Sequence, residues 1–411
     1  MRLLLTKLSR HRFASALLAG LLAFSGLASA RTWTSSDGSK TFDGELLSYN
    51  ADTGAVSVEL ANGQKLNFKQ EVLSAADIEF LKEKGTVTPA PKETPAASSS
   101  SSIVTKEITG GISKHDGKPA DMTKPVQVFI LLGQSNMVGA GKTAGLDAAV
   151  KQEKKYPYLA DEAGNWIVRQ DVRNVRVMAS GEGPAQPFNN EWMTVTGNTI
   201  GPELGIGHPL GNAIDAPVMI LKSCIGNRAI SFDLLPPGAE GYAGNLEPPR
   251  KPKQGAGWYA GIQYDADVHA AQNVLADLKT YYPDATKYEV AGFFFWQGEK
   301  DCGKAEWADA YEKNLVQFIK ALRKDFQSPN AKFVLATLGE HTKGCGNKVF
   351  DAHMAVDGMD GKYPEFKGNV ATVYSNPLSL GGSGNGHDDG NAGTYMNVGE
   401  AMGKAMIELL K

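Results

Sequence analysis

The sequence predicts an α/β protein built on a parallel sheet, with a small, mostly-β unit in front of it. Three observations carry this expectation. From Val126 onward, short apolar runs alternate with longer stretches of helical periodicity, the pattern of strands buried on both faces and joined by crossover helices. Before Thr86 the pattern is instead the period-two alternation of half-buried strands. Between the two, Thr86–Ser102 (TVTPAPKETPAASSSSS) has no apolar period, and its Pro, Thr and Ser content is that of a linker.

Taken in order, residues 1–30 read as a signal peptide. Arg2, Lys7, Arg10 and Arg12 form a basic segment, Phe13–Leu27 an apolar one, and Ala28-Ser29-Ala30 a small-residue cleavage site. The apolar stretch is short for a membrane span, and no Cys follows the cut to take a lipid. The expectation is an exported protein, periplasmic or secreted, cleaved near Ala30 and without stable membrane insertion. Losing those four basic residues takes the formal charge from −3 to −7. A mildly acidic chain with no basic run offers nothing for nucleic acid. Cys224, Cys302 and Cys345 allow one internal disulfide and leave one thiol.

Residues 31–85 form the small β unit. Leu46 and Leu47 mark one strand, and Val56, Val58 and Leu60 alternate along the next. Asn62-Gly63 supplies a hairpin turn, and Leu66 and Phe68 resume the alternation. Ser74-Ala-Ala-Asp77 starts a helix continued by Ile78, Phe80 and Leu81. No catalytic constellation is present, so the unit reads as an adaptor, a binding module or a spacer. Residues 86–122 are the linker.

Residues 123–411 are the main domain. Strands are expected at Val126–Leu132, Pro217–Ser223, Glu289–Trp296, Lys332–Leu338 and Val370–Ser375, with a short β excursion at Trp166–Met178. Helices are expected at Gly201–Ile214, Tyr264–Tyr281, Ala305–Asp325 and Tyr395–Leu410. The last of these presents Val398, Met402, Met406 and Leu409 or Leu410 as a core stripe. No Rossmann or P-loop glycine pattern follows any strand, and no HxH, HExxH or CxxC spacing suggests a metal, so no cofactor is expected.

Ligands of open parallel sheets bind beyond the carboxyl ends of the strands, and each loop there carries a candidate. The first strand runs into Gly133-Gln134-Ser135-Asn136-Met137, a sharp turn that puts the Ser135 hydroxyl at the sheet edge. There it either caps a helix or acts as a nucleophile with free N–H groups beside it. The second strand leads to Gly226, Asn227 and Arg228. Gly226 lets a backbone N–H approach a substrate, and Arg228 suits an acidic sugar. The third leads to Trp296-Gln297-Gly298-Glu299-Lys300-Asp301, where the Gln297 amide is a neutral donor suited to an oxyanion. The last loop, Gly381–Gly390, contains His387, a base for neutral pH, with His341 in reserve. The insertion Ser231–Gln263, with Tyr242, Trp258 and Tyr259, suits the shaping of a sugar site. Cys302 and Cys345 leave neighbouring strands at one sheet edge and are expected to pair, with Cys224 a buried thiol.

GQSNM, WQGEKD at Trp296–Asp301 and His387 before the C-terminal helix resemble the SGNH hydrolases. The likeness is to the branch of sialate O-acetylesterases and acetylxylan esterases of carbohydrate esterase family 6, and it covers Pro125 to Lys411. RTWTSSDG and LSAADIEFL resemble the SHD1-type small β domain. The first resemblance implies a flavodoxin-like three-layer αβα sandwich with a five-stranded parallel sheet and an acetylesterase acting on acetylated carbohydrate. It implies Ser135 as nucleophile and His387 as base, an oxyanion hole of Ser135, Gly226 and Gln297, and substrate contacts from Gln134, Asn227 and Arg228. The chain departs from the family in one place: an Asp is usual three residues before the His, and Gly384 stands there. The orienting acid is then sought among Asp301, Asp388, Asp389 and Glu299. Asp301 is preferred because its loop shares the sheet edge with His387, and a Ser–His dyad is the remaining option. A glycan-binding protein on a decayed hydrolase scaffold, and a lipase or thioesterase, are the competing readings.

Overall fold

The computed structural model describes residues 31–51, 53–60, 65–84, 111–339, 345–382 and 387–411. The signal peptide, the Asn62-Gly63 turn, residues 85–110 of the linker region, His341 and Gly384 lie outside the described residues. The chain divides into two compact units, Met1–Lys92 and Glu93–Lys411.

In the first unit, Arg31–Thr34, Thr41–Asn50, Ala55–Leu60 and Lys65–Lys69 pair in chain order as an antiparallel sheet. Helix Ala75–Lys84 follows. Ser74 and Asp77 start it as the sequence suggests, since the Ser74 hydroxyl donates to Asp77 at 2.9 Å and accepts the Asp77 N–H at 3.3 Å. Asp77 also accepts from the Thr34 N–H and pairs with Arg31 at 2.6 Å, tying the helix to the first strand. Trp33, Tyr49, Val56, Val58, Leu73 and Leu81 make the core.

The second unit is a seven-stranded sheet in the order Val370–Val373, Lys332–Ala336, Tyr288–Trp296, Val126–Gly133, Val218–Ser223, Arg169–Met178, Gln186–Met193. All pairings are parallel except the last, which is antiparallel. The expected five-stranded parallel sheet is therefore corrected to a mixed, seven-stranded one. The excursion at Trp166–Met178 is a full strand that joins the sheet beside Val218–Ser223, and Gln186–Met193 closes that edge. Gln186–Met193 carries no clear strand signal because its sequence, QPFNNEWM, has few apolar residues, as befits an edge strand with half its residues exposed.

Helices cover both faces. Val126, Val128, Ile130 and Leu132 point to one core, shared with Val268 of helix Ile262–Ala276, Leu315 of Ala305–Asp325 and Val349 of Lys348–Ala355. Phe129 and Leu131 point to the other, shared with Leu146 of Thr143–Lys151, Ile206 of Glu203–Ala213 and Val398, Met402 and Met406 of Ala392–Leu410. One apolar run thus serves two cores by alternation, which is why VQVFILL reads as continuous. The first strand in the chain is central, and later strands are added first on one side and then on the other. The carboxyl end of Val126–Gly133 therefore lies at the switch point where open sheets bind ligands. Among the described residues no helix is long and apolar enough to cross a membrane.

Candidate active site

Gly133 ends the central strand with φ 146°, and a Cβ there would come within 2.3 Å of the Trp296 carbonyl oxygen. Only glycine permits that approach. The Gln134 N–H then donates to the same carbonyl at 3.2 Å, so the first and third strand ends are locked together. Ser135 opens the four-residue helix Ser135–Val138. Its N–H, in the first turn, has no helical acceptor, and among the described residues its hydroxyl has no hydrogen-bond partner. Gln134 and Asn136 are buried while Ser135 is half-buried.

Gly226 lies directly against the serine: a Cβ on it would stand 3.5 Å from Ser135 Cβ and 3.9 Å from Ser135 N. A Cβ here would make ordinary van der Waals contact with Ser135, so the two residues are immediate neighbours. Asn227 is exposed and left-handed, with φ 59°. Arg228 is half-buried. Its Nε donates to Gln263 at 3.1 Å, its Nη1 to the Gly226 and Asn227 carbonyls at 3.2 Å, and its guanidinium lies 4.8 Å from the centre of the Trp258 ring. Among the described residues no carboxylate pairs with it.

The third strand end departs from expectation. Gln297 is fully buried, and its amide nitrogen donates to the Arg228 carbonyl at 2.8 Å and to Asp301 Oδ2 at 2.7 Å. Its Oε1 accepts from the Tyr311 hydroxyl at 2.9 Å. Two acceptors on one side and a hydroxyl on the other set the amide orientation. Both N–H groups are spent inside the protein, so the expected oxyanion contact from Gln297 is not made. Asp301 is also fully buried. Oδ2 accepts from the Ile230 N–H and Oδ1 from the Ser231 N–H, each at 2.9 Å. It holds the segment after Gly226 and orients no imidazole, which corrects its expected role as the acid. Burial pushes its carboxyl up to about 6, against the hydrogen bonds that favour the charged form.

Glu299, the alternative acid, is likewise not on a histidine. Its two oxygens take the side-chain amides of Gln134 and of Asn136, the latter at 2.5 Å. Gln134 is therefore a buried support, which corrects its expected contact with substrate. Burial pushes the Glu299 carboxyl up to about 7, helped by the charges of Asp388 and Asp301.

His387 is half-buried and precedes a tight turn, Asp388–Gly390, in which Asp388 and Asp389 are both left-handed. That turn returns towards the serine loop: a Cβ on Gly390 would meet the Ala140 carbonyl oxygen at 3.2 Å. Asn391 then caps helix Ala392–Leu410, accepting from the Gly393 N–H at 2.9 Å. Asp388 is buried, and Asp389 accepts from the Gly382 N–H at 3.1 Å.

In the insertion, the Tyr242 and Tyr259 hydroxyls both turn onto Asp265 and brace the loop. Trp258 alone of the three aromatics is open, at 46% exposure, with its indole N–H on Asp233 at 2.8 Å. Cys302 and Cys345 are joined as a disulfide with Cα atoms 4.7 Å apart, and Cys224 is a buried thiol raised to about 12 by that burial. Tyr311 and His353, 3.0 Å apart and fully buried, complete the support behind Gln297. Neither stood out in the sequence, because each sits on the buried stripe of an ordinary amphipathic helix.

Residues 258–408 match the family described as carbohydrate esterase, sialic acid-specific acetylesterase. The match includes Gln297, Glu299, Asp301 and His387. Ser135 and Gly226 lie before it and are tied to it by the Trp296, Glu299 and Arg228 contacts above. No curated protein sequence matches the chain. Among solved structures, an Arabidopsis thaliana protein is 19% identical and covers 69% of this chain and 98% of its own, with a TM-score of 0.41. XAC1771, a carbohydrate acetylesterase from Xanthomonas citri, is 14% identical, covering 85% of this chain and 59% of its own, TM-score 0.43. NanS is 15% identical, covering 57% and 73%, TM-score 0.34.

Proposed function

We propose that this chain is an exported carbohydrate O-acetylesterase of the SGNH type that works through an acetyl-enzyme. The observation that carries the reading is the pairing of Ser135, half-buried and with an unbonded hydroxyl, with Gly226 at the switch point of the sheet, in a chain whose residues 258–408 match a carbohydrate esterase family. Ser135 attacks the acetyl carbonyl while His387 takes its proton and then delivers it to the departing sugar hydroxyl. The N–H groups of Ser135 and Gly226 receive the oxyanion. Asp388, buried in the His387 turn, is the acid we favour to orient the imidazole, with Asp389 of the same turn and a Ser–His dyad as the alternatives. Water, activated by the same histidine, then releases acetate. Trp258 and Arg228 offer a ring face and a cation to the sugar. Residues 31–84, part of a compact unit of their own, serve in this reading as an adaptor outside the chemistry, in keeping with the SHD1-type resemblance of their sequence.

Acetate release from acetylated xylan, acetylated sialic acid and acetylated pectin, with p-nitrophenyl acetate as a control, tests the reading. Turnover of at least one sugar ester is expected. A folded protein that binds these glycans but hydrolyses none of the four would instead be a binding protein on a hydrolase scaffold.

A further inference from the structure

We propose that Glu299 is a positioning residue for the nucleophile: its carboxylate grips Gln134 and Asn136, the two chain neighbours of Ser135, and so fixes the turn from which the serine attacks. The proposal rests on the reading of Ser135 as nucleophile.

Met137 anchors the turn in the core, and beyond that little else holds it. A four-residue helix is far below the length at which a helix sustains itself. Its backbone is tied by Gln134 N–H to Trp296, by Val138 N–H to Gln134 at 2.9 Å and by Gly139 N–H to Ser135 at 2.9 Å. None of these sets the direction of residues 134 and 136. Side chains two apart on a regular helix do not face one another, yet here both amides converge on one carboxylate. Gln134 Oε1 is buried with no partner among the described residues, so the Glu299 contact is the hydrogen bond that holds this side chain. Asn136 has one further contact, a long 3.4 Å bond from the Tyr395 hydroxyl.

The grip has a chemical requirement. Two donors need two acceptor oxygens, which only the ionised carboxylate presents to both without rearrangement. The charged groups that raise Glu299 are the carboxylates of Asp388, on the turn before the last helix, and Asp301, on its own loop; the neutral Gln134 amide opposes them. The hydroxyls of Tyr311 and Tyr395 also feel its charge. No cation is among these neighbours. Burial and like charge thus oppose the ionised form, and the pair of amides favours it. Loss of that form as pH falls releases one amide and loosens the serine turn.

The test measures kcat and KM on a soluble acetyl ester across pH, beside the rate at which an organophosphonate labels Ser135, with folding followed by circular dichroism. Glu299→Gln retains one acceptor and is expected to lower kcat about 10- to 100-fold, the usual cost of a misplaced reacting group, with KM within about twofold. Glu299→Ala should lose more. Labelling should slow in step with kcat. The acidic limb of the wild-type profile should be steeper than one proton, and Glu299→Gln should restore a one-proton slope. Asn136→Ala removes one of the two donors; its loss should not add to that of Glu299→Gln in the double variant. Should Glu299→Gln fail to fold, Asn136→Ala alone must lower kcat and flatten the limb. Wild-type kcat and slope in Glu299→Gln overturn the proposal, as does a loss of activity explained by unfolded protein while the folded fraction labels at the wild-type rate. Ser135→Ala run alongside separates the two readings. If it is active, the nucleophile assignment fails and this proposal with it; if it is inactive while Glu299→Gln is fully active, only the role of Glu299 fails.

Discussion

Two turns leave adjacent strands at one edge of the sheet and look alike in the sequence: Gly133-Gln-Ser-Asn136 and Trp296-Gln-Gly-Glu299. Each pairs a glycine of positive φ with a buried glutamine. They are put to opposite uses. In the first, the flanking amides are tied down and the central hydroxyl has no partner among the described residues. In the second, the polar groups are spent inside the protein: Gln297 on Arg228 and Asp301, Asp301 on Ile230 and Ser231, Glu299 on the first turn. A group available for chemistry is the one the fold declines to satisfy, and the neighbouring turn supplies the satisfied groups that keep it in place.

The largest effect should separate the two turns cleanly. Ser135→Ala is expected to lower kcat by about 10⁴- to 10⁶-fold, because nucleophile and base act as a unit, and His387→Ala should do the same. Ser135→Ala should not move the thermal midpoint by more than about 1 °C, since the Ser135 hydroxyl has no hydrogen-bond partner among the described residues. A Ser135→Ala protein that loses stability but keeps turnover would exchange the roles assigned to the two turns.

That contrast also measures what the sequence disclosed. Five of the six parallel strands, the four long helices of the main domain and the serine turn were legible because each is a local pattern: an apolar run, a 3.6-residue period, a glycine at a strand end. The short helices Thr143–Lys151 and Lys348–Ala355 were not. The direction of a buried side chain is not local. Gln297, Glu299 and Asp301 have the residue types of a catalytic loop. Only the positions of Arg228, Gln134 and Ile230, dozens to more than a hundred residues away in the chain, show that their donors and acceptors are already taken.

Next in size is the disulfide, which staples the second turn alone. Cys302 sits in the Asp301–Gly303 turn and Cys345 just before helix Lys348–Ala355, closing a loop of sequence separation 43. Such a loop is worth about 3–4 kcal/mol through the entropy of the unfolded chain. Cys302→Ala with Cys345→Ala should lower the denaturation midpoint accordingly. Turnover at 25 °C should stay within a few-fold, because the serine turn is held by Glu299 and Trp296. A collapse of kcat in the still-folded double variant would mean that the second turn shapes the reaction directly.

Asp301 should show a smaller loss with a pH signature. Asp301→Ala leaves the buried N–H groups of Ile230 and Ser231 without their acceptor, costing about 1–3 kcal/mol. In the folded protein the Asp301 carboxyl is raised from 3.8 to about 6. A raised acid takes up its proton in the folded state before the unfolded chain does. Its contribution to stability therefore grows as pH falls from about 7 towards 4 and is withdrawn as pH rises through 6. The gap in thermal midpoint between wild type and Asp301→Ala should widen as pH is lowered across that window. At matched folding, Asp388→Asn should reduce kcat more than Asp301→Asn; the reverse order would return Asp301 to the imidazole and break the division between the turns.

The smallest effect concerns the surface that both turns overlook. Trp258 is the open aromatic of the insertion, fixed by its N–H on Asp233 and lying under Arg228. A ring held at its edge and stacked on one side by a guanidinium is rigid, so it can contact a sugar with little loss of freedom. Trp258→Ala should then raise KM for a sugar acetate about 3- to 10-fold, worth roughly 1 kcal/mol, and leave kcat unchanged. p-Nitrophenyl acetate, which carries no sugar, should be hydrolysed as before. A rise in KM for both esters would instead mean that the indole supports the Arg228 loop and, through Gly226, the oxyanion site. An unchanged KM for every sugar tried would move the substrate path away from Trp258 altogether. The two failures look different, because only the first involves the groups that touch Ser135.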